Sequence, residues 1–91
     1  PFVFGNFTNT EFIKLKKTID KSKLDYGNIK KIYFFNSGRW DIELLDGLLI
    51  KLPEKNFLQS INTSMELISK KKIKNIKIID NRIEGQVILN E

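Results

Sequence analysis

Asp41 and Glu43 are the nearest approach to a catalytic pair in this chain. Two residues apart in an extended run, they share one face, and general acid–base chemistry by carboxylates needs two such groups in a cleft with their pKa values pushed apart. Arg39 and Lys51 fall on that same face, which makes the two acids ordinary cross-strand charge partners. No other constellation offers more. Histidine and cysteine are both absent, so the usual general base near neutral pH, the thiolate nucleophile, the disulfide and most zinc sites are excluded. Ser37, Ser60 and Ser64 have no histidine to activate them. The five glycines, Gly5, Gly27, Gly38, Gly47 and Gly85, stand singly at expected turns, so no glycine-rich phosphate loop exists. The residues therefore point to a binding module with no enzymatic activity, no metal and no cofactor.

Charge suggests one kind of partner. With a formal net charge of +5, the chain could neutralise phosphates, and a small basic nucleic-acid-binding domain using Lys70 to Lys77 and the first helix is the alternative reading. Against it, only Arg39 and Arg82 among the basic residues are arginine, the side chain suited to bidentate phosphate and base contacts. Lysine, isoleucine and asparagine dominate the composition together, as an A- and T-rich codon pool would produce without any functional demand. Nucleic acid is thus an unlikely partner. No apolar run approaches the ~18–20 residues of a membrane span. Beginning at Pro1 rather than methionine, the sequence reads as a piece of a longer protein or as a processed product.

The elements that must position any site are legible from turns and periodicity. Pro1 to Gly5 is a short extended piece. Thr8 and Glu11 form a capping box before a helix from Asn9 to Asp20, whose apolar stripe is Phe12, Leu15 and Ile19 and whose solvated face carries Lys14, Lys16, Lys17 and Lys21. Ile29 to Phe35, Arg39 to Leu44 and Leu48 to Leu52 read as strands. Asn36-Ser37-Gly38 and Leu45-Asp46-Gly47 separate them. If each is a three-residue loop ending in a left-handed glycine, Phe34 pairs with Trp40, Ile32 with Ile42, Ile42 with Ile50 and Trp40 with Leu52. One face is then wholly apolar: Ile32, Phe34, Trp40, Ile42, Leu44, Leu48, Ile50 and Leu52. A two-residue Asp46-Gly47 turn would put Lys51 beside Ile42, a slip that a buried face penalises. Trp40, the only tryptophan, reads as a core residue rather than an exposed anchor. The other face carries Tyr33, Phe35, Arg39, Asp41, Glu43, Leu49 and Lys51 and can meet water or a partner.

Pro53 and Glu54 suit the first turn of a second helix running to Ser69, with Phe57, Leu58, Ile61, Met65 and Ile68 turned to the sheet. Lys70 to Lys74 is a basic exit loop. Two strands follow, Asn75 to Arg82 and Gln86 to Asn90, around Ile83-Glu84-Gly85. The expected architecture is one α+β domain over residues 1–91: a largely antiparallel sheet, built of a three-strand meander and two C-terminal strands, with two helices packed on one face. The last strand is the candidate binding element: terminal, short and apolar, it offers unpaired N–H and C=O groups to an incoming strand if it lies at the sheet edge, and none if it is covered or paired.

Several of these features in combination resemble a known family. Pro1-Phe2-Val3-Phe4-Gly5 before a helix, Arg39-Trp40-Asp41-Ile42-Glu43-Leu44 followed by Asp46-Gly47, then Leu52-Pro53 and the closing Ile79-Asp80-Asn81-Arg82 are similar to the extracytoplasmic β domain of the bacterial division proteins FtsQ and DivIB. The proteobacterial members are the most similar. Asn81 departs from the pattern, standing where the family usually has an apolar residue.

The resemblance implies the C-terminal part of a β domain that, in full-length members, follows a membrane helix and a POTRA domain. It implies a periplasmic location at the septum, in a single-pass inner-membrane protein, and a scaffold role in the divisome. Its partners would be FtsB and FtsL, with FtsB adding a strand to the terminal strand. Carried over by position, the contact strip is Arg82, Ile83, Glu84, Gly85, Gln86, Val87 and Ile88, with Arg39 a further charged contact.

Overall fold

The computed structural model describes residues 1–70 and 75–91. The elements in chain order are β1 (Phe2–Phe4), α1 (Asn9–Lys21), β2 (Ile29–Phe34), β3 (Trp40–Leu44), β4 (Leu49–Lys51), α2 (Phe57–Ser69), β5 (Ile78–Asp80) and β6 (Ile88–Asn90), with a 3-10 turn at Tyr26–Asn28. The capping box that starts α1 is complete. The Glu11 N–H donates to Thr8 Oγ1 at 3.1 Å and the Thr8 N–H to Glu11 Oε1 at 2.9 Å, satisfying two otherwise orphaned donors.

Both glycine turns adopt the three-residue form. Gly38 and Gly47 have φ of 91° and 94°, a region costly for a residue with a Cβ, and their N–H groups donate to Phe35 O and Leu44 O. The resulting pairs include Phe34 with Trp40, Ile32 with Ile42 and Ile42 with Ile50. Extended across the sheet, one row reads Val3, Ile32, Ile42, Ile50, Ile79 and Leu89. Its four central isoleucines are fully buried, each contributing about 1.5–3 kcal/mol relative to exposure. Trp40 is buried beside them, its ring against Phe7, Phe12 and Phe34.

The sheet itself differs from the expected one. Its six strands lie in the order β1-β2-β3-β4-β5-β6, and β1 with β2 and β4 with β5 run parallel, so the sheet is mixed rather than largely antiparallel. The reason lies in the helices. A parallel neighbour cannot be reached by a hairpin and needs a crossover of a dozen or more residues, which α1 supplies between β1 and β2 and α2 between β4 and β5. Crossovers between parallel strands are right-handed as a rule, so two that step the same way across the sheet put both helices on one side. There they meet, the Lys23 N–H donating to Asn62 Oδ1 at 2.8 Å.

The second helix begins later than Pro53 and Glu54 suggest. Leu52 stays in the sheet, fully buried, with its N–H on Trp40 O. The chain then needs residues 53–56 to climb from the sheet to the helix layer, and Asn56 turns it at φ 59°. Phe57 and Ile61 face the core with Met65 and Ile68 at its margin, whereas Leu58 points outward. Ser64 is fully buried. Most of the expected basic exit loop falls at 71–74, outside the described residues.

Candidate partner-binding edge

Asp80 ends β5 and starts the reversal that leads to β6. Its Oδ1 accepts the Arg82 N–H at 3.0 Å, an Asx-type turn. The Gln86 N–H returns to Ile83 O at 3.1 Å, and Gly85 takes φ 77° between them. Of the strip predicted for partner contact, Arg82, Ile83, Glu84, Gly85, Gln86 and Val87 thus form the turn and its exit, and only Ile88 lies in the strand. The expected strand begins at Gln86. Tight pairing with a three-residue β5 allows no more than Ile88–Asn90.

As the last strand in the sheet order, β6 pairs on one side only. Which of its groups face outward follows from hydrogen-bond parity. The Leu49 N–H donates to Lys77 O and the Asn81 N–H to Lys51 O, both 2.9 Å, so the backbone groups of Ile79 serve β4 and those of Ile78 and Asp80 serve β6. Since Ile78 and Asp80 register with Asn90 and Ile88, the N–H and C=O of Leu89 point away from the sheet. Leu89 was outside the predicted strip. Strict alternation along the strand was the signal that could have found it, had the register been known.

Arg39 joins this region from the other side. An open cleft of about 680 Å³ is lined by Arg39, by residues 82–87, and across from them by Pro53 to Asn56 with Gln59, Ser60 and Thr63 of α2. The fold therefore brings together all the predicted contact residues except Ile88, which lies in β6 just beyond the cleft. Ile83 is 55% exposed, and Val87, Ile88 and Leu89 are also exposed.

The charges beneath are ordered by cross-strand register. On the sheet face opposite the helices, Asp41, Lys51 and Asp80 sit side by side. Arg39 Nη1 donates to Asp41 Oδ1 at 3.0 Å and to Leu52 O at 2.9 Å. Arg82 grips Asp80 with two prongs, Nε to Oδ1 at 3.0 Å and Nη2 to Oδ2 at 2.7 Å. The two carboxylates diverge. Burial pushes the Asp41 carboxyl above its ordinary value despite Arg39, Lys51 and Arg82, whereas the hydrogen bonds from Arg82 hold Asp80 below it.

The other candidates are placed less suggestively. Asp41 is bonded to Arg39, and Glu43 accepts from the Tyr33 hydroxyl at 3.4 Å, as charge and hydrogen-bond partners. Among the described residues no group of three or more acidic side chains is placed to hold a metal ion. In α1, Lys16 is paired with Asp20, and just beyond it Lys23 is paired with Glu66. Asn81, the departure noted above, is buried and donates through Nδ2 to Ser64 Oγ at 3.0 Å.

A family model for the C-terminal region of the cell division proteins FtsQ and DivIB matches residues 4–82. The chain belongs to the FtsQ/DivIB family. Members of the FtsQ/DivIB family are non-enzymatic, membrane-associated division proteins, and the chain's role is accordingly in cell division. The match stops at Arg82, so the rest of the turn and β6 lie beyond the matched span. No curated protein matches the chain. No helix among the described residues is long and apolar enough to cross a membrane.

Proposed function

We propose that this chain is the partner-binding part of a periplasmic divisome scaffold, of the proteobacterial FtsQ type, and that FtsB of the FtsB–FtsL complex binds it by adding a strand along β6. The observation that carries this reading is the free edge. Leu89 presents an N–H and C=O that are unpaired among the described residues at the rim of the sheet, beside exposed Val87 and Ile88 and a cleft that gathers Arg39 with the turn at residues 82–87. A backbone-paired strand gives affinity with little sequence demand, and side chains entering the cleft give specificity.

Titrating the labelled domain with a synthetic peptide from the C-terminal region of the cognate FtsB tests it. Amide shifts are expected to concentrate at Arg82 to Asn90, with smaller changes at Arg39. Absence of any shift at high micromolar peptide sinks the reading. Proline at Leu89 removes the outward N–H and is expected to abolish binding while the core signals persist. Proline at Ile88, whose N–H faces β5, is expected to detach β6 instead.

A further inference from the structure

We propose that Asp80 is a positioning residue for partner binding: it holds the Arg82 guanidinium at the cleft wall and so fixes the direction in which the remaining donors point. The proposal rests on the strand-addition reading and adds to it a residue that itself lines no part of the cleft. Four hydrogen bonds tie Arg82 to Asp80. The backbone N–H and Nε both reach Oδ1 at 3.0 Å, Nε also reaches Oδ2 at 3.1 Å, and Nη2 reaches Oδ2 at 2.7 Å. Such a fork fixes the plane of the guanidinium as well as its place.

Asp80 can act as a fixed base because it is 7% exposed and sits in register with Lys51 on one side and Ile88 of β6 on the other. Arg82, by contrast, keeps 47% of its side chain exposed. Its Nη1 donors have no partner among the described residues, and Arg82 is one of the residues that line the cleft. Arg39 behaves differently. Its side chain is 17% exposed, and Nη1 is occupied by Asp41 and the Leu52 carbonyl. One aspartate therefore holds its arginine down on the sheet, while the other holds its arginine out beside the free edge. Because Asp80 also registers with Ile88, a partner strand on β6 and the Arg82 donors meet the partner in one fixed relation. A flexible exposed arginine would have to be ordered at the moment of binding, at a cost in affinity.

Two measurements test this, and the first needs no partner. Only two arginines are present, Arg39 and Arg82, so the arginine Nε–H region of the free protein's NMR spectrum holds two signals. The Arg82 signal is expected to be protected from exchange and to lose that protection in Asp80→Asn. Its persistence in the variant overturns the proposal.

The second measurement is the affinity of the FtsB peptide for Asp80→Asn, Arg82→Ala and the double variant. Asp80→Asn is expected to weaken binding by up to about fivefold, Arg82→Ala by at least as much, and the double variant no more than Arg82→Ala alone. Wild-type affinity in Asp80→Asn, or full additivity in the double variant, overturns it, because a merely structural aspartate would act regardless of Arg82. Should Asp80→Asn fail to fold, Arg82→Lys, which keeps the charge without the fork, is expected to lose as much as Arg82→Ala, and wild-type binding by it overturns the proposal. If the wild-type protein binds no peptide, strand addition fails, and the Nε–H measurement still decides the placement of Arg82.

Discussion

Asn81 and Ser64 form a buried polar pair between β5 and α2, and breaking it should reveal coupling. Asn81 is 3% exposed and Ser64 0%, with Nδ2 donating to Oγ at 3.0 Å. Asn81→Leu keeps the branched outline of the side chain, removes the donor and leaves the Ser64 hydroxyl against an apolar side chain, a loss of about 1–3 kcal/mol. Ser64→Ala leaves the amide without its acceptor, but Asn81 borders the cleft and can turn toward water, so the loss is smaller, ~0.5–1.5 kcal/mol. With both changed, no polar group is stranded and stability should return to within about 1 kcal/mol of the starting protein. The coupling energy is then on the order of 1–3 kcal/mol, well above the error of a double-mutant cycle. Urea unfolding of the four proteins with a common m value measures it, and each kcal/mol lost also lowers Tm by about 4–8 °C for a domain of this length. Losses that simply sum in the double variant would refute the coupling, and with it the argument that asparagine is tolerated here because Ser64 receives it.

Gly5→Ala should destabilise by at least ~2 kcal/mol in the same assay, because Gly5 has φ 119° and an added Cβ would collide with Phe34 O; an alanine variant as stable as the parent would contradict the packing of β1 on β2. Acid should weaken the fold partly through Asp80. Its carboxyl lies below the ordinary value of 3.8 when folded, so in the window beneath that value the unfolded chain binds the extra proton and stability falls with pH. Asp41 has the opposite sign: its folded carboxyl is raised, so its charge disfavours folding above that range and protonation relieves the cost. Urea unfolding across pH 3–7 of Asp80→Asn is therefore expected to show a shallower acid loss than the parent, and of Asp41→Asn a steeper one, with parallel curves counting against both assignments.

What could be read from residues alone was whatever depends on near neighbours. Gly38 and Gly47 set two turns, the alternation around them allows one register with an apolar face, and Thr8 with Glu11 starts a helix, because each of these choices is decided within a few residues. The family was legible for a similar reason: the Arg39 to Leu44 run and the closing Ile79 to Arg82 sit in order along the chain. Pro53 misled, because a good first-turn residue is no instruction to start a helix when Leu52 must still pair with Trp40.

The site divides along the same line. The family resemblance marked Arg39 and residues 82–88 as candidates and Asn81 as a departure, and the sequence alone established that neither histidine nor cysteine chemistry is available. Tertiary structure decided that β1 runs parallel to β2 and β5 to β4, since a crossover partner lies a whole helix away along the chain. It decided that β6 is the edge, that Leu89 rather than Ile88 turns its backbone outward, and that Arg39 shares a cleft with a turn more than forty residues away. Those are facts about which strands become neighbours, and burial of the shared isoleucine row across the sheet selects them through contacts that no local pattern encodes.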